Sequence, residues 1–155
     1  MGDQQWNVFT QDLLGGPAKL IGPPVSARGI GHYEAHFASP DGKWLLVHDL
    51  SGQCALYPIA GGDIKTIPGC NADDIWIRWS ADGRSGFIYH DEKTSAPVFR
   101  IDVVSGKRDH LFTVAPGDST GVTSIHRIRM AADGKTYAYT YLRELSDLFL
   151  VEGVK

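Results

Sequence analysis

The sequence contains no long apolar run, no cluster of basic residues and only two cysteines. No window approaches the roughly 18 consecutive apolar residues of a membrane-spanning helix, so we expect no membrane partner. The net charge is −3, and no run of Lys and Arg could follow a phosphate backbone, so we expect no nucleic-acid partner either. The N-terminus lacks the basic start and apolar core of a signal peptide, which predicts a soluble chain without a targeting signal.

The two cysteines, Cys54 and Cys70, are too few for a disulfide framework and too widely spaced for a zinc knuckle. We expect unpaired structural thiols. A disulfide between them is the alternative, and the sequence does not decide between these two states.

The chain is rich in turn residues, with 18 glycines and 8 prolines between short apolar runs, and no window shows a sustained helical period. These features predict an all-β protein. An Asp-Gly turn flanked by β-prone runs recurs at spacings of 41 and 51 residues. Glycine accepts the positive φ that such a hairpin turn requires. The predicted structural turns are Asp41-Gly42, Asp82-Gly83 and Asp133-Gly134.

Each turn is predicted to join two strands, and a second hairpin follows the first two turns. The strands before the turns are predicted at residues 33–38, 75–79 and 125–130, and those after them at 43–48, 85–90 and 136–141. The second hairpins are predicted at 55–67 and 98–112, with a similar one at 7–21 and a final strand after residue 146. The four successive units of the chain are therefore predicted to contain two, four, four and three strands.

A unit of about 40 residues with four antiparallel strands is typical of a propeller blade. Leu45, Leu46 and Val47 are apolar on consecutive positions, as are Phe87 and Ile88, which indicates sheets covered on both faces. We predict a partial β-propeller with two complete and two partial blades. The additional residues of the second spacing are assigned to a longer connection at 113–124. The predicted boundaries are 6–21 (half blade), 32–67 (blade), 74–112 (blade) and 124–152 (three-stranded partial blade).

The strings "FASPDGKWLLV" and "IRWSADGRSGFIY", with hairpins such as "VFRIDVVSGK", resemble the TolB-like, or WD-repeat-like, propeller family over residues 8–155. The final segment, which contains "LSDLFLVEG", is similar to the C-terminal end of propellers in bacterial serine/threonine protein kinases, particularly acidobacterial ones. Membership of such a membrane kinase would imply an extracytoplasmic location.

The sequence departs from this family in two respects. Ala81 and Ala132 replace the proline of the turn, a mild change because proline only pre-sets φ there. The chain also lacks a glycine-rich nucleotide loop, a catalytic Asp motif and a DFG motif, so kinase activity would belong to a parent protein.

Propellers usually have four to eight blades, so the predicted blades are too few for a closed ring. Apolar sheet faces at both ends would then be left in water. We therefore expect the chain to associate with itself, as a homodimer or higher oligomer. In one arrangement, the last three strands are completed by the partner's strand near residues 18–21. The alternative is a truncated piece of a larger single-chain propeller.

The segment "HYEAH" places two imidazoles and a carboxylate on one face of a strand. These are ligand types for zinc or iron, but same-face neighbours on a strand stand nearly 7 Å apart, which is too far for positions i and i+4 to share an ion comfortably. An acidic pair further along, at the start of a strand, raises calcium as an alternative to a solvated loop. We predict polar channel lining, with no metal and no cofactor. The predicted channel-mouth residues are His32, Glu34, His36, Asp73, Asp74 and His126.

No residue set amounts to a catalytic site. The chain has no Gly-x-Ser-x-Gly elbow, and Ser119 lies in a loop without a plausible base. Alternating Tyr137, Tyr139 and Tyr141 would share one face, as a sugar- or peptide-binding stripe or as inter-blade packing.

We therefore expect a non-catalytic module that binds a peptide, a protein or a small ligand. The alternative is an accessory sensor or gating domain detached from a kinase or a prolyl-oligopeptidase-type hydrolase.

Overall fold

The computed structural model describes residues 5–26, 37–70, 72–131 and 134–146, which form twelve strands in four antiparallel sheets. The first sheet contains β1 (Gln5–Thr10) and β2 (Lys19–Ser26). The second contains β3 (Phe37–Ala38), β4 (Trp44–His48), β5 (Cys54–Pro58) and β6 (Lys65–Thr66). The third contains β7 (Ile75–Trp79), β8 (Ser85–Tyr89), β9 (Ala96–Asp102) and β10 (Arg108–Val114). The fourth contains β11 (Val122–Met130) and β12 (Tyr137–Arg143).

None of the described residues is helical, so these ranges contain no helix that could cross a membrane. The predicted strands agree with the observed ones most closely around the second turn, where β7 has the predicted bounds and β8 ends one residue early. The connection at 113–124 is shorter than expected, because β10 extends to Val114 and β11 already begins at Val122. The strand predicted after residue 146 lies outside the described residues, and the blade boundaries stay a prediction.

The Asp-Gly turns have one common geometry. The glycine has a φ of 68° at Gly42, Gly83 and Gly134, in the left-handed region that favours glycine. In each turn its amide donates to the carbonyl three residues earlier, at 2.9 to 3.0 Å. The prediction of a positive-φ glycine is therefore confirmed at all three positions. Asp133 lies outside the described residues.

Three apolar cores join the four sheets in succession. Val8 and Ile21 of the first sheet pack with residues of the second, and Ile125 and Ile128 of the fourth pack with residues of the third. The core between the second and third sheets is the interface core, and it contains Leu46, Cys54, Leu56, Ile67, Cys70, Trp76, Trp79, Ile88 and Ile101.

Consecutive residues on one strand face different cores, which confirms that the inner sheets are covered on both sides. On β4, Leu46 belongs to the interface core and Val47 to the core shared with the first sheet. On β8, Ile88 belongs to the interface core, whereas Tyr89 belongs to the core shared with the fourth sheet. This succession of face-to-face sheets is the arrangement of propeller blades, and the chain is an all-β partial propeller.

The expectation of unpaired thiols is wrong, because Cys54 and Cys70 form a disulfide with a Cα–Cα distance of 5.4 Å. Cys54 begins β5, and Cys70 follows β6 in the linker to the third sheet. Their backbones already meet, since the amide of Cys54 donates to the carbonyl of Cys70 at 3.2 Å. The bridge therefore closes the β5–β6 hairpin and anchors the linker beside the interface core.

Candidate functional site

Four turns emerge at the same end of the second and third sheets. The β3–β4 and β5–β6 turns meet there, where the amide of Ile59 donates to the carbonyl of Lys43 at 2.9 Å. The β7–β8 and β9–β10 turns meet likewise, through the amide of Val103 and the carbonyl of Arg84 at 3.1 Å. We call this the turn end, and the start of β7 lies at the opposite end of the third sheet.

A cleft of about 650 Å³ opens at the turn end, between the second and third sheets. Its polar rim includes Asp41 from one Asp-Gly turn, Asp82 from the next, and Lys65 from β6. Its floor is apolar and consists of Trp44, Leu56, Trp79, Val103 and Val104. The cleft therefore combines a large apolar surface with a few charged groups, which is the usual character of a ligand pocket.

Both rim carboxylates are held in the same way by their own turns. Asp41 Oδ1 accepts hydrogen bonds from Ser39 Oγ at 2.5 Å and from the amide of Lys43 at 3.1 Å. Asp82 Oδ1 accepts from Ser80 Oγ at 2.7 Å and from the amide of Arg84 at 3.0 Å. These serine hydrogen bonds, followed by the amide bonds, lower the pKa of both carboxyls below 3.8. Both rim groups are therefore negatively charged at neutral pH.

The floor of the cleft is continuous with the interface core. Leu56 and Trp79, each 6% exposed, belong to that core, and Trp44 packs against it. The Lys65 ammonium lies 4.5 Å from the centre of the Trp44 ring, in cation–π geometry. Val104 stands at the outer side of the floor and is 82% exposed. A ligand side chain could thus reach apolar surface without displacing the core.

Asp74, predicted at the channel mouth, lies instead in a buried ionic cluster, with a side chain that is 0% exposed. Arg108 at the start of β10 contacts both of its carboxylate oxygens, through Nη1 at 2.9 Å and Nη2 at 2.5 Å. His90 Nε2 lies 2.7 Å from Asp74 Oδ1 and 3.1 Å from Arg108 Nη1. Arg108 also donates to the carbonyl of Gly69 in the linker. The group therefore ties the linker to the strands of the third sheet.

Of the other predicted channel residues, the structure describes only Asp73 and His126. Asp73 is exposed beside the buried Asp74, whereas His126 is exposed on β11 with its Nε2 2.9 Å from Ser124 Oγ. His32, Glu34 and His36 lie outside the described residues, and channel lining by these five stays a prediction. Within the described ranges, no three His, Cys, Asp or Glu side chains form a group suited to a metal ion.

The tyrosine stripe of β12 contributes to packing between the third and fourth sheets. Tyr137 stacks on Phe112 of β10 with ring centroids 4.7 Å apart, and Tyr139 packs against the core between the two sheets. The Tyr139 hydroxyl also donates to the carbonyl of Ala115 at 3.3 Å. The inter-sheet interpretation of the stripe therefore agrees with its contacts.

Sequence reasoning missed both the cleft and the partners of Asp74. The recurring Asp-Gly turns contained a signal for the cleft, because equal turns on adjacent sheets must lie side by side. Arg108 gave no such signal, since 34 residues separate it from Asp74.

No protein-family model and no curated protein sequence matches the chain. Among solved structures, the fold is similar to that of TolB from Acinetobacter baumannii, with a TM-score of 0.58 and 23% sequence identity. The match covers 91% of this chain and 33% of that protein, so the chain spans about a third of its length. The chain therefore has a TolB-like propeller fold.

Proposed function

We propose that this chain is a non-catalytic binding module that holds a segment of a peptide or protein in the cleft at the turn end. The cleft is the observation that supports this proposal, because its volume of about 650 Å³ falls within the range of roughly 300–1,000 Å³ that is typical of ligand pockets. It lies between two hydrogen-bonded sheets that share an apolar core, which positions the floor and the rim before a ligand arrives.

The polar groups around the cleft support binding rather than catalysis. The Ser39 hydroxyl donates to Asp41 and also accepts from the amide of Trp44 at 3.0 Å, so the turn occupies it. The Lys65 ammonium is likewise engaged over the Trp44 ring. An activated nucleophile needs a neighbouring base, and the lowered pKa of Asp41 makes its carboxylate a weak base for the Ser39 hydroxyl.

Selection from a random peptide library displayed on phage tests the binding function. Peptides selected on the native chain should lose binding to Val104→Asp, which places a charge on the exposed side of the floor. Leu111→Asp is the matched control, because Leu111 is also an exposed apolar residue, on β10 outside the cleft. Binders that tolerate Val104→Asp as well as Leu111→Asp would argue against the cleft.

A second candidate function is that of an accessory sensor or gate of an enzyme. The resemblance of the "LSDLFLVEG" segment to kinase-associated propellers favours it, and a ligand in the same cleft would then be the sensed signal. Co-expression with a kinase or hydrolase encoded beside this chain, followed by an activity assay, would test it. Unchanged activity on adding the chain would reject this role.

We also propose that the chain associates with itself. Phe9 and Leu20 are cross-strand partners on the first sheet, on a face that leaves both more than half exposed. Such an apolar face favours association. Light scattering at micromolar concentration should give an oligomer mass, and the mass should fall on Phe9→Ser substitution. A monomer mass for the native chain would contradict this proposal.

A further inference from the structure

We infer that the cleft takes a peptide segment in which a Lys or Arg side chain is adjacent to a large apolar one. The apolar side chain would contact the floor, and the cation would pair with Asp82. This inference rests on the proposed binding function and adds the chemistry of the ligand.

Asp82 is the rim carboxylate most open to a ligand cation. Within the described part of the chain it forms no ion pair, whereas Asp41 has the Lys43 ammonium 3.7 Å from its Oδ2. Hydrogen bonds from its own turn keep Asp82 ionised at neutral pH. Arg84 contributes electrostatically to the lowered pKa of Asp82 but forms no ion pair with it, so a ligand cation meets weaker competition at Asp82 than at Asp41.

The Asp82 carboxylate is also fixed before binding. Ser80 Oγ and the amide of Arg84 both donate to its Oδ1, which restricts the side chain to one orientation. A group that is already ordered loses less conformational entropy when it pairs with a ligand. This arrangement favours a specific contact over a diffuse attraction.

The apolar part of the ligand is indicated by the floor. Val104 is largely exposed at its outer side, and Trp79 closes its inner side at the interface core. Covering such a surface removes apolar area from water, which is favourable in proportion to the area. The volume of about 650 Å³ exceeds that of one side chain, so a short segment fits better than a single residue.

The charge of the rim argues against anionic ligands. A polyanion or an acidic peptide would place its charges beside both Asp41 and Asp82, and like charges in contact are unfavourable. Two carboxylates and one ammonium line the cleft, so its lining keeps a net negative charge, although Lys43 pairs with Asp41 from outside the lining. Charge complementarity with the open Asp82 carboxylate therefore favours a basic partner.

Three displayed libraries of ten-residue peptides test the inference. They are identical except for a fixed central pair, which is Lys-Trp, Gln-Trp or Glu-Trp. Selection on the native chain, with removal of peptides that also bind Val104→Asp, should enrich the Lys-Trp library most and the Glu-Trp library least. The strongest Lys-Trp binders are then synthesised with a fluorescent label and titrated by fluorescence polarisation.

Asp82→Asn is the discriminating variant, because the amide oxygen still accepts the bonds of the turn while the charge is lost. We expect it to weaken the labelled Lys-Trp peptides about two- to fivefold at low salt, the range of an exposed ion pair. The difference should shrink in 0.5 M salt. Asp12→Asn is the matched control, since Asp12 also accepts a turn amide, from Leu14 at 2.8 Å, outside the cleft.

The outcomes separate the two proposals. If binders sensitive to Val104→Asp come equally from all three libraries, or if Asp82→Asn binds Lys-Trp peptides as the native chain does, the basic-ligand inference is overturned and the binding function stands. If no library gives a peptide that distinguishes the native chain from Val104→Asp, the binding function fails and the inference falls with it. The affinity of the native chain for the Lys-Trp peptides should itself fall as salt is added, and this measurement needs no variant.

Discussion

Replacing Arg108 by methionine should destabilise the fold strongly, because it leaves the buried Asp74 carboxylate with one fewer partner. Methionine keeps the apolar stem but removes the guanidinium group, which contacts both carboxylate oxygens and the carbonyl of Gly69. Asp74 is fully buried, so water cannot replace those contacts. A buried charge that loses its partner is costly, in contrast to an exposed one.

The expected magnitude follows from burial and from the bonds that remain. Removing one member of a buried pair costs about 3–5 kcal/mol. The lower end applies here, because His90 Nε2 still lies 2.7 Å from Asp74 Oδ1 and the Arg108 side chain is 25% exposed. We expect a loss of about 3 kcal/mol in the free energy of unfolding. For a chain of this size, that corresponds to a fall in Tm of roughly 6–12 °C.

Urea unfolding followed by tryptophan fluorescence measures the loss, with Arg100→Met as the control. Arg100 pairs with Asp109 at 3.2 Å, but both side chains are about half exposed, so solvent screens the pair and little change is expected. Adding Asp74→Asn to Arg108→Met should recover part of the stability, because the buried charge that lost its Arg partner is then removed. Equal effects of Arg108→Met and Arg100→Met would refute the structural role of the cluster.

Three further predictions concern the disulfide, one glycine and the turn aspartates. Reduction, or the double replacement of Cys54 and Cys70 by serine, should lower the free energy of unfolding by about 3 kcal/mol, and equal urea midpoints with and without reductant would contradict this. Gly86→Ala should lower Tm because its Cβ would lie 2.0 Å from the buried Trp76 ring, whereas Gly117→Ala meets nothing within 4 Å and should leave Tm nearly unchanged. Acidification should destabilise the fold below about pH 4. The folded-state pKa of Asp41, Asp82 and Asp102 is lowered, so the stability that their ionised carboxylates contribute is lost as the pH falls through that pKa. A free energy of unfolding that stays constant from pH 5 to pH 2.5 would reject this prediction.

Local patterns were sufficient to predict the sheets and their two-sided burial. Leu46 and Val47 are adjacent and both apolar, and alternation along a strand sends them to opposite faces whatever the tertiary arrangement. The Asp-Gly turns were predictable for a similar reason, since glycine adopts a φ near 68° more readily than residues with a Cβ atom. In both cases the decisive interactions lie within a few residues along the chain.

The disulfide and the site were not accessible in the same way. Cys54 and Cys70 meet only because β5 and β6 pair and the linker turns back over β5. The cleft forms between two sheets, so its floor depends on how Trp44 of one faces Trp79 of the other. These contacts follow from tertiary packing, which a single sequence does not display.

The cleft and the interface core share residues, and this determines which variants can separate binding from stability. Substituting Leu56 or Trp79 would damage both, because each contributes to the core as well as to the floor. Val104 and Asp82 are exposed, so changes there should alter ligand contacts while the sheets stay packed. A bound segment would also cover the open end of the core, and a ligand present at 100 times its Kd adds about 2.7 kcal/mol to stability. Ligand binding should therefore stabilise the same interface that the disulfide and the Asp74 cluster hold together.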